Sequence, residues 1–170
     1  MFIHFLKENR YAAGLLFFLR LYLGWQWLHA GWEKISGGQF DAGGFLSGAI
    51  GQMSGDHPAV QPWWGEFLRE VALPNIGIFN VLVPWGEFLV GLGLILGAFT
   101  SYAVLMGLVM NFSYMLSGTT STNPQMVIIG LLILAAGINA GRIGFDHWIY
   151  PYAKKAFAKK SETGTLSKSA

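Results

Sequence analysis

Two ionisable side chains interrupt long apolar stretches of this sequence. Arg20 lies within the apolar run of residues 12–32, and Glu87 lies within the run of residues 78–99. A charged group in a membrane-length apolar segment is costly unless it faces the protein interior and meets a partner. We therefore expect the two segments to pack against each other, with Arg20 and Glu87 on the inside.

Four apolar segments are long enough to cross a bilayer. The chain is 53% hydrophobic and only 12% charged, and the apolar residues are concentrated in blocks, which is typical of membrane proteins. A helix needs about 20 apolar residues to span the hydrocarbon core. The sequence predicts an all-α fold, a four-helix transmembrane bundle in one domain over residues 1–152. The predicted spans are residues 12–33, 77–98, 101–118 and 124–141.

Basic residues lie at one side of this predicted bundle. Lys7 and Arg10 precede the first span, and Arg142 and four lysines between residues 154 and 160 follow the last one. Because cytoplasmic segments of membrane proteins are enriched in Lys and Arg, both termini are predicted to be cytoplasmic. Residues 153–170 are predicted to form a basic, disordered cytoplasmic tail.

Residues 36–75 would then form an extracytoplasmic connection with two parts. The first part is glycine-rich and is predicted to be a loop. The second part carries Trp64, Phe67, Leu68 and Val71 at the spacing of one helical face, with charged residues opposite. This pattern is typical of an amphipathic helix that lies at the membrane interface.

A third polar residue is predicted to join the two charged ones. At about 1.5 Å per residue, Arg20, Glu87 and Asn111 lie roughly 12, 17 and 15 Å from the cytoplasmic side. Similar depths on three helices predict a buried polar cluster with an Arg20–Glu87 ion pair, which we treat as a candidate catalytic site. A purely structural clamp between two helices explains the same pattern.

A second group lies near the outer end of the first span. Gln26, His29 and Glu33 follow one helical stripe, with Trp27 nearby. Hydrogen-bond donors beside aromatic walls suit the headgroup of a quinone, so these four residues are candidate quinone-binding residues. A helix end reaching interfacial water is the alternative interpretation.

Other cofactors and partners are disfavoured by residue content. The chain has no cysteine, which excludes a thiolate iron–sulfur cluster, and His29 is the only histidine expected within the bilayer, which disfavours haem. No metal site is predicted. The formal net charge of +2 is too small to indicate nucleic-acid binding.

Four segments resemble the DoxX family of bacterial and archaeal membrane proteins, in particular its DoxD-like branch. They are RLYLGWQWLHAGWEKI (20–35), PWGEFLVGLGLILGAFTSYA (84–103), STNP (121–124) and AGRIGFDHWI (140–149). The recurring positions of the family that this resemblance matches are Arg20, Gly24, Gly31, Lys34, Glu87, Asn123, Pro124, Gly141, Arg142 and Asp146.

The resemblance implies a multi-pass protein of the bacterial or archaeal cell membrane. It further implies a membrane subunit of a quinone-linked oxidoreductase system, such as a thiosulfate:quinone oxidoreductase, with a second subunit as partner. A noncatalytic membrane scaffold for a redox or stress-defence complex is the alternative, and a small-solute or proton pathway is a third interpretation. Dimerisation through a glycine-rich helix face is a further expectation.

A maleimide that cannot cross the membrane tests the predicted orientation. Because the chain has no cysteine, single introduced cysteines report without background. We expect Ser47→Cys to react in intact cells and Ser161→Cys to react only after permeabilisation. Protection of the first variant together with labelling of the second in intact cells would establish the opposite orientation.

Overall fold

Helices dominate the structure, a computed structural model that describes residues 1–38 and 40–152. Within these ranges there is no strand, which confirms the all-α class. The predicted cytoplasmic tail, residues 153–170, lies outside the described residues. The helices are α1 Phe2–Glu8, α2 Arg10–Ser36, α3 Gly43–Gly51, α4 Pro62–Phe67, α5 Ile76–Leu96, α6 Thr100–Leu116 and α7 Asn123–Ala136. A π-helical turn, Leu68–Ala72, continues α4, and a 3-10 helix, Gly137–Gly141, continues α7.

The four longest helices occupy the segments for which spans were predicted. Two stretches are long and apolar enough to cross a membrane, Ile76–Leu96 and Asn123–Gly141. Helix α6 is apolar but shorter, and α2 is longer but carries Arg20 in its middle. Helix α2 packs against α5 and α7, and α6 packs against the same two helices, so the four enclose one apolar core.

The α2–α5 interface brings two helix backbones into direct contact. A Cβ atom added at Gly31 would lie 2.8 Å from the carbonyl oxygen of Pro84, and one added at Gly91 would lie 2.6 Å from the Cα atom of Leu28. Only glycine leaves room for such an approach. Because the contact involves backbone atoms on both helices, it fixes the axial position of α2 against the antiparallel α5.

The connection between α2 and α5 folds into a small unit of its own. The glycine-rich part, predicted to be a loop, contains helix α3. This helix buries Leu46 and Ala49 against the π-helical turn, where Leu68 and Ala72 are also buried. Packing of this apolar side outweighs the low helix propensity of glycine, which is why composition alone indicated a loop.

The predicted amphipathic helix forms, but it buries a different set of residues. The amide of Leu73 donates to the carbonyl of Leu68 at 2.8 Å, five residues earlier, which defines the π-helical turn. The extra residue in this turn rotates the helix, so that Ala72 is buried while Val71 is 46% exposed. Phe67, also assigned to the apolar face, is 38% exposed.

This connection unit lies over the end of the bundle where α2 ends and α5 begins, which we call the loop end. The indole N–H of Trp64 donates to the hydroxyl of Ser117 at 2.9 Å. The amide of Ala42 donates to the side-chain oxygen of Asn80 at 2.8 Å. These bonds connect the unit to α6 and α5.

At the opposite end, which we call the terminus end, α1 folds back onto the bundle. The side-chain amide of Asn139 donates to the carbonyls of Leu6 at 2.7 Å and of Asn9 at 3.0 Å. The side chain of Asn9 in turn accepts from the amide of Tyr11 at 2.7 Å and caps the first turn of α2. Helix α1, which the sequence pattern did not predict, thereby closes this end.

Two glycine-to-alanine variants on the same helix test the close contact. Gly31→Ala should lower the free energy of unfolding by about 1–3 kcal/mol, because its methyl group overlaps the α5 backbone. Gly14→Ala meets open space and should raise it by up to about 1 kcal/mol. Unfolding in mixed detergent micelles measures both, and equal effects would show that α2 and α5 do not touch at Gly31.

Candidate functional site

A buried carboxylate with two hydrogen-bond donors lies near the loop end. Glu87 on α5 is only 3% exposed. Its Oε2 atom accepts from the Nζ atom of Lys34 on α2 at 2.7 Å, and its Oε1 atom accepts from the hydroxyl of Tyr114 on α6 at 2.8 Å. We call Lys34, Glu87 and Tyr114 the polar triad. It connects the three helices α2, α5 and α6 inside the bundle.

The α2–α5 contact explains why Lys34 meets Glu87. Gly31 lies one turn before Lys34, and Gly91 lies one turn after Glu87, so the glycine contact brings the two side chains to the same level. Each charge then offsets the desolvation of the other. Tyr114 satisfies the remaining carboxylate oxygen, as a buried carboxylate requires.

Aromatic rings surround the triad. The ring of Trp27, which is 3% exposed, lies 6.5 Å from that of Tyr114 on the side of the bundle core. The ring of Phe45, from the connection unit, meets Tyr114 edge to face at 6.0 Å. Lys34 lies 5.8 Å from the centre of the Phe40 ring, within range of a cation–π contact. Glu87 and Tyr114 are thereby shielded, and Lys34 is the member that reaches the surface, with 28% of its side chain exposed.

A cleft opens beside Lys34. It has a volume of about 310 Å³ and is lined by Ala30, Glu33, Lys34, Gly37 and Phe40. This volume is at the lower end of the range of about 300–1,000 Å³ that small-molecule sites occupy. Lys34 thus contacts the cleft on one side and Glu87 on the other.

The cleft beside Lys34, which we call the first cleft, and the polar triad can together bind a ligand and exchange protons with it. The Lys34 ammonium can donate a hydrogen bond to a ligand carbonyl or oxyanion in the cleft. Lys34 and Tyr114 carry exchangeable protons, and the Glu87 carboxylate accepts a hydrogen bond from each of them. These bonds form an unbroken chain from the cleft into the bundle. The arrangement can therefore bind a polar group and exchange protons with it.

The predicted ion pair between Arg20 and Glu87 is wrong: no such pair forms between these two described side chains. The guanidinium of Arg20 instead donates to the carbonyls of Ala140 at 3.1 Å and Ile143 at 2.5 Å. In the antiparallel pairing of α2 with α5, Arg20 lies against Gly97. Gly97, which directly follows α5, lies ten positions after Glu87 in the sequence, about 15 Å along the helix axis. Depth counted from the ends of the apolar runs missed this offset.

Arg20 belongs to a structural lock at the terminus end. A Cβ atom at Gly97 would collide with its guanidinium, and one at Gly144 would lie 2.9 Å from it. Asp146 accepts from the amides of Phe99 at 2.6 Å and Thr100 at 2.9 Å, which caps α6. The segment after α7 is therefore held against the turn between α5 and α6.

Asn111 belongs to a third buried group. Its side-chain amide donates to the side-chain oxygen of Asn123 at 2.8 Å, which joins α6 to α7. Arg20, Asn111 and Glu87 are 1%, 1% and 3% exposed, so their predicted burial is confirmed. They bond, however, to different partners, and the single polar cluster that the sequence predicted divides into three.

The four candidate quinone-binding residues lie on different sides of α2. His29 and Glu33 are exposed and lie 3.5 Å apart between Nδ1 and Oε2, and Gln26 is half-buried. Trp27 points into the core instead. Only Glu33 lines the first cleft.

Lys34 and Tyr114 were not chosen as site residues from the sequence. Their helical stripes held a signal, because Lys34 follows Gly24, Trp27 and Gly31 on one side of α2, and Tyr114 follows Asn111 by one turn on α6. Lys34 lies at the end of the apolar run, where lysine ordinarily extends to water, so its position in the sequence does not indicate that it turns inward.

Comparison with known families gives one match. The DoxX family profile matches residues 15–120. The chain belongs to the DoxX family. All three triad residues of this DoxX protein, and Arg20 and Asn111, lie inside the matched region. Searches of curated proteins and of solved structures gave no match.

Membership of the DoxX family indicates a membrane protein, in agreement with the two apolar helices that are long enough to span a bilayer. The matched region ends before α7. The Arg20 lock is thus formed between a residue within the match and carbonyls that lie beyond it.

Double-mutant cycles distinguish the observed pairing from the predicted one. Lys34→Met and Glu87→Gln should show a coupling energy between about 0.5 and 3 kcal/mol, because the two side chains are in contact. Arg20→Met and Glu87→Gln should be additive within about 0.5 kcal/mol, because the side chains are well separated. Unfolding free energies in micelles provide both values. Strong coupling of Arg20 with Glu87 would contradict the structure.

Proposed function

We propose that this chain is the membrane subunit of a quinone-linked oxidoreductase system, and that the first cleft receives the quinone headgroup. The observation that carries the proposal is the hydrogen-bonded triad that begins at the cleft wall and continues into the bundle. A quinone needs a donor for its carbonyl oxygen, an apolar or aromatic wall for its ring, and a source of protons.

The cleft offers the first two of these features. Lys34 supplies a charged donor, and hydrogen bonds from charged donors are the stronger ones. Phe40 and Ala30 supply apolar wall. Glu33 also lines the cleft, so one of the four quinone-binding residues proposed from the sequence belongs to this site.

The triad offers the third feature. Reduction of a quinone to a quinol takes up protons as well as electrons, so a site that reduces quinone needs groups that exchange protons. The Lys34 ammonium and the Tyr114 hydroxyl carry protons, and the Glu87 carboxylate accepts a hydrogen bond from each of them. Lys34 in turn lines the cleft. Isolation of Glu87 from lipid and water favours transfer along this chain.

The electrons would come from a second subunit. The chain has no cysteine for an iron–sulfur cluster, and the described part of the connection carries Asp41, Asp56, Glu66 and Glu70 against a single arginine, Arg69. This acidic surface repels an anion such as thiosulfate. Binding of an anionic reductant by a partner subunit is consistent with that charge, and a second subunit is also what the resemblance to the DoxD-like branch implies.

Quinone titration of the purified protein tests the proposal. Saturable quenching of tryptophan fluorescence by a soluble benzoquinone is expected. Lys34→Met should weaken binding by about tenfold to a hundredfold, the range for losing a hydrogen bond from a charged group. Lys34→Arg, which keeps a charged donor, should restore part of the affinity.

His29→Ala is the matched control on the same helix, and it should leave the affinity unchanged. If His29→Ala and Gln26→Ala weaken binding while Lys34→Met does not, quinone binds at the exposed stripe of α2 instead. Quenching that never saturates in the parent protein would reject quinone binding and favour the noncatalytic scaffold.

A further inference from the structure

A second cleft lies on the other side of Lys34. It has a volume of about 210 Å³ and lies between the end of α2 and the first turns of α5. Its wall includes the apolar side chains of Ile35, Val81, Pro84 and Trp85. Lys34 and Phe40 line both clefts, so the two are adjacent across these side chains.

The mouth of the second cleft lies on the outer surface of α5. Val81 is 60% exposed and Trp85 is 50% exposed, and both line the cleft. Helix α5 is one of the two stretches long and apolar enough to cross a membrane. Large exposed apolar residues on such a helix face hydrocarbon, since water would make their exposure costly. The second cleft therefore opens towards lipid.

Its polar lining is already engaged within the protein. The side chain of Asn80 accepts from the amide of Ala42 at 2.8 Å and lies 3.4 Å from the carboxylate of Asp41. Pro84 has no N–H to offer. The cleft wall thus combines polar groups, which include Lys34 and Asn80, with apolar side chains. Because the side chain of Asn80 is occupied by Ala42 and Asp41, the apolar side chains are the part of the wall that can contact a hydrocarbon chain.

We propose that the second cleft holds the first part of a hydrocarbon tail whose polar headgroup occupies the first cleft. This inference rests on the proposed function and deepens it, because it assigns the ligand to the class of lipid-soluble, tailed quinones. The ring lies against Lys34, and the tail leaves past Val81 and Trp85 into the bilayer. A volume of about 210 Å³ is below that of a typical whole-ligand site, as expected for a passage that holds only part of a ligand.

The experiment compares two benzoquinones with the same ring, one with a decyl tail and one without. The full-length protein is reconstituted in lipid nanodiscs, and binding is followed by quenching of tryptophan fluorescence, for which Trp85 is a reporter inside the cleft. Val81→Phe fills the passage, and Leu82→Phe is the control. Leu82 is 59% exposed on the neighbouring position of α5 but lines neither cleft.

Val81→Phe should weaken binding of the decyl compound by about tenfold, the factor for excluding roughly two methylene groups from apolar contact. The tail-less ring should bind Val81→Phe and the parent protein equally, and Leu82→Phe should change neither affinity. The decyl compound partitions into lipid equally in every sample. The ratio of its affinities for the variant and for the parent protein is therefore unaffected by this partition.

The remaining outcomes separate this inference from the function on which it rests. Both compounds could bind the parent protein while Val81→Phe changes neither affinity or changes the two affinities equally. In that case the tail does not occupy the second cleft, and the quinone site stands without it. If neither compound binds the parent, the quinone site and the tail passage are both overturned.

Discussion

The direct contact between the backbones of α2 and α5 sets the relative heights of the charged side chains on these two helices. Gly31 and Gly91 allow the two helices to approach until backbone meets backbone, and a contact of this kind cannot slide by a turn without a clash. It brings Lys34 to the level of Glu87 and Arg20 to the level of Gly97. A buried charge that loses its partner costs several kcal/mol of folding free energy, so the helices must hold these side chains at matching heights.

The buried polar side chains divide into groups with different tasks. At the terminus end, the guanidinium of Arg20 binds two backbone carbonyls and holds the chain after α7 in position. Asn111 joins α6 to α7 through Asn123. Neither Arg20 nor Asn111 lines the two clefts beside Lys34. The polar triad differs, because Lys34 also lines a cleft and remains partly exposed. A buried polar network that reaches a cleft at one end is typical of binding and catalytic sites.

The connection between α2 and α5 completes the site although it belongs to no long helix. It contributes Phe40 to both clefts and Phe45 to the enclosure of Tyr114. Its own apolar cluster and its bonds to α5 and α6 hold these rings in place. The loop end of the bundle is therefore covered by this connection and carries the polar triad, whereas hydrogen bonds from Asn139 and Arg20 hold the terminus end closed.

The sequence by itself determined where the long helices lie and that Arg20, Glu87 and Asn111 are buried, since apolar runs must be shielded and a charge within them must face inward. It could not determine which residues pair, because partners depend on the axial offset of α2 against α5, and that offset follows from a glycine contact between segments some 60 residues apart. Tertiary packing likewise produced α3 from a glycine-rich stretch and a π-helical turn that rotates Val71 outward. Lys34 became a site residue for the same reason: only the folded bundle turns a lysine at a helix end towards a buried glutamate rather than towards water.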